Sequence, residues 1–182
     1  MPLYTNQSII DVLSGAVGIA SFPASAIPAN DVSLAEVLRE LYDQSEKAIS
    51  TAAAVIANGT ATIFTIAGGP ILLTHIFSVC VTANDTTATT LKYTADPTDG
   101  AATDLCAASA TLASKAAGHI LNITGTLATQ MVQTVNGTAI EQATPILIPA
   151  GVIQTITTVG ATTGTWRHHL RYRPLARGVT VS

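Results

Sequence analysis

The sequence predicts a mainly β protein: an antiparallel β-sandwich or jelly-roll-like domain preceded by an N-terminal extended arm and one α-helix. Three observations predict it. After residue 60, eight or nine short runs rich in β-branched residues follow one another at the spacing of a sandwich or barrel. Turn-forming clusters separate them, among them Gly68-Gly69-Pro70, Asp96-Pro97-Thr98-Asp99-Gly100, Asn136-Gly137 and Ala150-Gly151. A helical apolar period runs through residues 31–57, ahead of these strands.

Residues 1–30 read as an arm. Ile9, Ile10, Leu13 and Phe22 give it apolar patches, while Pro23 and Pro28 bias it toward extended backbone beyond a short helix at 7–14. It is too short to build its own core, so it must lie on this protein or on another. The apolar stretch 12–29 imitates a leader, with Ala24-Ser25-Ala26 as the cleavage-like site, but residues 1–10 hold no Lys or Arg and Asp11 interrupts the run. The prolines also break it as a membrane span. Neither a secretory leader nor a membrane contact is predicted.

Residues 31–59 are predicted to be a helix and its stop. Asn30 and Asp31 offer N-cap oxygens, Ser33 to Glu36 forms a capping box, and Asn58-Gly59 ends the helix. Leu34, Leu38, Leu41, Ala48, Ala52 and Val55 recur at steps of three and four, with Ser45 in the missing place. Two readings stand: a helix covering its own sheet, or a parallel oligomerisation stalk with Leu34, Leu38, Leu41 and Val55 in its seam.

The β domain, 60–182, is predicted to hold strands at 61–66, 71–82, 89–95, 105–114, 119–124, 130–135, 145–148, 152–159 and 165–173. Asn136-Gly137 is its strongest hairpin signal. The alanines of 105–117 would also suit a helix.

Charge and composition narrow the function. Charged residues are 10% of the 182, against a usual ~25%, and 28 Thr and 30 Ala fill the polar gap. This composition argues against disorder, because high charge and low apolar content are what keep chains unfolded. A net charge of −3 argues against coating nucleic acid. So few ionisable groups weigh against an enzyme, and a low-charge, Thr-rich surface suits packing against neighbouring chains.

The sharpest chemical feature is the last strand, Trp166 to Arg173. Strand alternation puts Trp166, His168, Leu170 and Tyr172 on one face and Arg167, His169, Arg171 and Arg173 on the other. Arg177 follows, so half of the eight Lys and Arg residues fall within eleven positions. Two readings compete: a solvated or internally paired face, and a cationic stripe that docks on an acidic protein surface, where the arginine fork pairs with carboxylates.

Other chemistry finds no pattern. His75, His119, His168 and His169 show no metal-ligand spacing, and His168 and His169 must face opposite ways; no metal and no cofactor are predicted. Asp85, Asp96, Asp99, Asp104 and Glu141 offer no catalytic spacing. No nucleophile elbow or phosphate loop is present in the sequence. Cys80 and Cys106 read as buried small hydrophobes, with one disulfide as the alternative. Sequons at Asn58, Asn84, Asn122 and Asn136 arise easily in so Thr-rich a chain.

The stretch Gly18-Ile-Ala-Ser-Phe-Pro-Ala-Ser-Ala-Ile-Pro-Ala-Asn30, running into Val32-Ser-Leu-Ala-Glu-Val-Leu-Arg39, resembles virion structural proteins of tailed bacteriophages, above all head-decoration and head-fibre proteins. The ending Trp166 to Arg173, followed by Pro-Leu-Ala-Arg-Gly-Val-Thr-Val, is similar to their β-rich heads. The resemblance touches about a third of the chain and carries no catalytic residue. It implies a non-enzymatic capsid decoration (cement) protein, a homotrimer in the virion, assembled in the host cytoplasm. Its partner would be the major capsid protein or another virion protein, met through Ile9, Ile10, Leu13 and Phe22 of the arm and through Arg167, Arg171, Arg173 and Arg177. Alternatives are a tail, fibre or spike component and a carbohydrate-binding module. The module needs an aromatic platform, for which Tyr93, Trp166 and Tyr172 are the candidates. An enzyme would reveal itself by two carboxylates or a nucleophile–histidine pair in a cleft.

Overall fold

The computed structural model describes residues 45–135, 137–138, 140–158 and 163–182; the arm at 1–30 and positions 31–44 of the predicted helix lie outside them. The described chain builds two antiparallel sheets around one core. The first has seven strands: β1 (Lys47–Ser50), β2 (Ala54–Val55), β4 (Ile71–Thr82), β7 (Ile120–Asn122), β8 (Val132–Thr134), β9 (Ile146–Ile148) and β11 (Thr165–Pro174). Its order is β1-β11-β4-β7-β8, with β2 also pairing β11 and β9 also pairing β4. The second is β12-β3-β10-β5-β6, from β3 (Gly59–Ala67), β5 (Thr90–Pro97), β6 (Thr103–Asp104), β10 (Gly151–Thr158) and β12 (Thr180–Val181).

The core lies where the sheets face each other. Leu73, Ile76 and Cys80 of β4 and Trp166, Leu170 and Tyr172 of β11 pack there with Phe64 and Ile66 of β3, Leu91 and Tyr93 of β5 and Ile153 of β10. Each such side chain removed from water contributes ~1.5–3 kcal/mol. β11 alternates as its sequence predicts, with Trp166, His168, Leu170 and Tyr172 buried. β4 starts and stops where the sequence places it, but its alternation breaks. Tyr172 pairs with Leu73 and Arg171 with His75, so Thr74 is an extra, bulged residue. The bulge turns His75 to the outer face, opposite Arg171, and returns Ile76 to the core.

The predicted helix does not extend through 47–55, which form β1 and β2 along the outer edge of β11. The alanine period is compatible with a helix, but helix propensity is a weak prior worth a few tenths of a kcal/mol per residue. Here β11 presents an unpaired ladder edge, and the segment supplies the missing hydrogen bonds while burying Ile56. Val55, assigned to the oligomerisation seam, stands in β2 and is 50% exposed. Leu34, Leu38 and Leu41 lie outside the described residues. β11 is therefore an interior strand.

The predicted strand at 105–114 is irregular. Leu105, Ser109 and Leu112 send their N–H groups to the carbonyls of Tyr93, Leu91 and Thr89 along β5. Returning donors, the Tyr93 and Leu91 N–H groups, go to Cys106 Sγ at 3.4 Å and Ser109 Oγ at 3.1 Å. Contacts spaced by four and three residues meet β5 carbonyls spaced by two, so the segment caps this edge with small side chains instead of forming a ladder. Among the described residues no strand pairing spans the Asn136-Gly137 signal: β8 pairs with the preceding β7, and the Gly137 N–H bonds to Gly118 O at 3.0 Å.

Candidate functional site

The outer face of the seven-stranded sheet carries the predicted stripe. Arg167 and Arg173 are exposed there, with His169 and Arg171 half-buried between them. Arg171 is internally paired: its guanidinium bonds to Glu46 and lies 3.6 Å from Glu141 Oε1. Both partners are well exposed, so the network is worth about 1 kcal/mol or less. The Thr74 hydroxyl, which donates to Glu46 Oε1 at 2.5 Å, and then Arg171 hold the Glu46 carboxyl below its ordinary value. Arg171 thus follows the internally paired reading, whereas Arg167 and Arg173 lie outside the ion pairs of the described residues. Arg177 is exposed after β11 ends.

Sequence reasoning missed what lies between the arginines. Because β4 pairs with β11, Phe77 comes opposite His169, and the two rings stack with centroids 4.7 Å apart and planes at 11°. His75 tilts against Phe77 at 5.1 Å, completing a row of three rings. A groove of about 290 Å3 runs beside the row, between β1 and β11, walled by Ile49, Phe77, His169 and Arg171. Burial lowers the affinity of His75 and His169 for a proton, with the positive Arg171 and Arg167 acting in the same direction. The only signal in the sequence was Phe77 in the outward phase of an apolar strand.

The inner face of β11 holds a second constellation. His168 Nδ1 is 2.6 Å from Ser78 Oγ and 3.3 Å from Tyr93 Oη, and Ser78 and Tyr93 bond to each other. This is a serine–histidine contact, but Ser78 and Tyr93 are fully buried. Burial pushes His168 down to about 4, too weak a base to activate a hydroxyl near neutrality. The same burial pushes the Tyr93 phenol up, so it stays protonated. The cluster cross-links the sheets, and no substrate carbonyl can reach the serine.

The remaining candidates find local partners. Asp85 accepts from the N–H groups of Thr87 and Thr163, which lower its carboxyl. Asp104 pairs with Lys92 at 2.6 Å and accepts from Thr94. Tyr93, Trp166 and Tyr172 are all buried, so they form no exposed platform for a sugar. Cys80 and Cys106 are free and buried, and burial raises the Cys106 thiol to about 11. Of the sequons, Asn84 and Asn122 are buried with their amides donating to Leu112 O and Ile140 O, which leaves no room for a glycan. No group of three His, Cys, Asp or Glu that could hold a metal occurs among the described residues. The arm residues Ile9, Ile10, Leu13 and Phe22 lie outside the described residues.

No protein-family model matches this chain, and comparisons with curated proteins and with solved structures yield no match.

Proposed function

We propose that this chain is a non-enzymatic virion structural protein that decorates and stabilises a phage capsid. Its fold, on this reading, is a jelly-roll-like β-sandwich, and its working form is a homotrimer. It docks on the major capsid protein, or on another virion protein, through the arm residues Ile9, Ile10, Leu13 and Phe22 and through the outer face of the seven-stranded sheet.

The observation that carries the reading is that outer face. Two exposed arginines, Arg167 and Arg173, flank a groove and a ring row in which Phe77 and His169 are half-buried and His75 is buried. Guanidinium forks select carboxylates, and stacked rings give rigid contact area at the centre of a patch. The sealed serine–histidine contact supports a non-enzymatic role, because it links the sheets and presents no reachable nucleophile. The resemblance of residues 18–39 to head-decoration proteins supplies the virion setting. β1 and β2 occupy 47–50 and 54–55, so no stalk helix runs through those positions.

Two experiments test it. Light scattering at two concentrations should find a stable species at three times 18.6 kDa, about 56 kDa. Co-sedimentation with shells of the cognate capsid protein should show binding that weakens as salt rises. Replacing Arg167 and Arg173 with Ser should weaken it at least about tenfold at low salt. Binding indifferent to salt and to both substitutions would reduce the stripe to a solvated face.

A further inference from the structure

Where the chain crosses from β2 in one sheet to β3 in the other, the sheets leave a cleft of about 210 Å3. Its walls are mostly small or apolar, among them Ala54, Ile56, Ala61 and Ile63, with Thr155 and His168 at its buried end. Among the described residues, His168 is the one ionisable residue that lines it. Its Nδ1 edge is turned to Ser78 and Tyr93, neither of which lines the cleft. The opposite edge of the ring, bearing Nε2, therefore meets the cleft, and Nε2 has no hydrogen-bond partner among the described residues.

The proton positions follow from the cluster. If Nδ1 carried the ring proton, it would donate to Ser78, Ser78 would donate to Tyr93, and the Tyr93 O–H would be left without an acceptor in a sealed core. Such an orphan costs ~1–3 kcal/mol. If Tyr93 donates to Ser78 and Ser78 donates to Nδ1, every sealed hydroxyl is satisfied. The one spare donor is then Nε2–H, at the cleft, where a ligand can reach it. The depressed proton affinity of His168 keeps the ring neutral, so it offers a single N–H and no charge.

We infer that this cleft binds small uncharged molecules with an apolar body and one acceptor oxygen (a ketone, ester or amide), the oxygen taking the hydrogen bond of His168 Nε2–H. The apolar walls supply most of the contact. A carboxylate finds no cation among the lining residues, and an ammonium finds no anion. A cavity of about 150 Å3 accommodates benzene, so this one takes a six-membered ring with a short substituent. The site is independent of the docking face, which lies on the other side of β11.

The test is an NMR titration of the full chain, read at the ring 15N and 1H signals of His168, with acetophenone, toluene and benzoate as probes. Acetophenone should shift these signals saturably. Toluene lacks the acceptor, and benzoate carries a charge; each should bind at least about tenfold more weakly. Ala61→Phe fills the cleft while leaving Ser78, Tyr93 and His168 in place, so it should abolish the shifts. The wild-type comparison of the three probes stands even if that variant folds poorly. No saturable shift with acetophenone, equal affinity for toluene, or shifts that persist in a folded A61F would overturn the proposal.

Discussion

Acidification from pH 7.5 to 5 should cost the fold about 2 kcal/mol through His168 alone. Unfolded, its imidazole titrates near 6.5; in the core burial, and then the neighbouring His169, bring it to about 4. A histidine depressed in this way leaves stability intact above the unfolded value. The loss begins as pH falls through about 6.5 and is complete below about 4. At ~1.36 kcal/mol per pH unit the full loss is about 3 kcal/mol, of which about 2 falls above pH 5. His75, His119 and His169 are lowered by burial too and steepen the same window. A variant isolates the His168 share. His168→Asn retains an acceptor near the position of Nδ1 but cannot titrate. Urea midpoints at pH 7.5, 6.5, 5.5 and 5 would give the unfolding free energy of both proteins. H168N should be less stable at pH 7.5, through lost volume, yet its decline to pH 5 should be about 2 kcal/mol shallower. Stopping at pH 5 avoids most of the titration of Glu46 and Asp104, both lowered, whose contributions fade as pH falls below the ordinary carboxylate values of 4.5 and 3.8. Parallel declines in the two proteins would mean that His168 is not sealed between Ser78 and Tyr93, and the reasoning about the cluster would fail.

Three further outcomes follow from the packing. Asn84 accepts from the Trp166 indole N–H at 2.9 Å and donates to Leu112 O at 2.8 Å. Asn84→Ala orphans both buried groups and should cost about 2–4 kcal/mol in urea denaturation; a loss under about 1 kcal/mol would show that water replaces the amide. Gly151 has φ +147°, and a Cβ there would meet Asp96 O at 2.4 Å, so Gly151→Ala should cost about 2–3 kcal/mol; an unchanged melting temperature would refute this turn geometry. Cys80 and Cys106 should resist a thiol reagent at pH 8 and both react in denaturant, whereas rapid labelling of the native chain would place a thiol at the surface.

What was legible in the sequence was local. The run 71–82 is bracketed by Gly69-Pro70 and Asn84-Asp85 and became β4 without adjustment. The two faces of β11 were legible because strand alternation needs only neighbouring residues. The segment 47–55 departs from the predicted helix because its helical spacing expresses only a weak preference, and the need of β11 for an edge partner is written about 120 residues away. The segment 105–114 has strand-like hydrophobicity, but its small side chains bond to β5 with the wrong period for a ladder. Long-range pairing also made the sites. His168 is 90 positions from Ser78 and 75 from Tyr93, and Arg171 is 125 from Glu46, so no spacing rule could join them. The bulge at Thr74, which turns His75 outward, has no sequence signature of its own.

Whether this chain reinforces a shell, as proposed, is read by differential scanning calorimetry of shells of the cognate capsid protein, with and without saturating amounts of the chain. Joining capsid subunits should raise the temperature at which the shell melts, and the rise should shrink when Arg167 and Arg173 are replaced by Ser. A shell that melts at the same temperature with the chain bound, or that never binds it, would rule out the capsid-stabilising role.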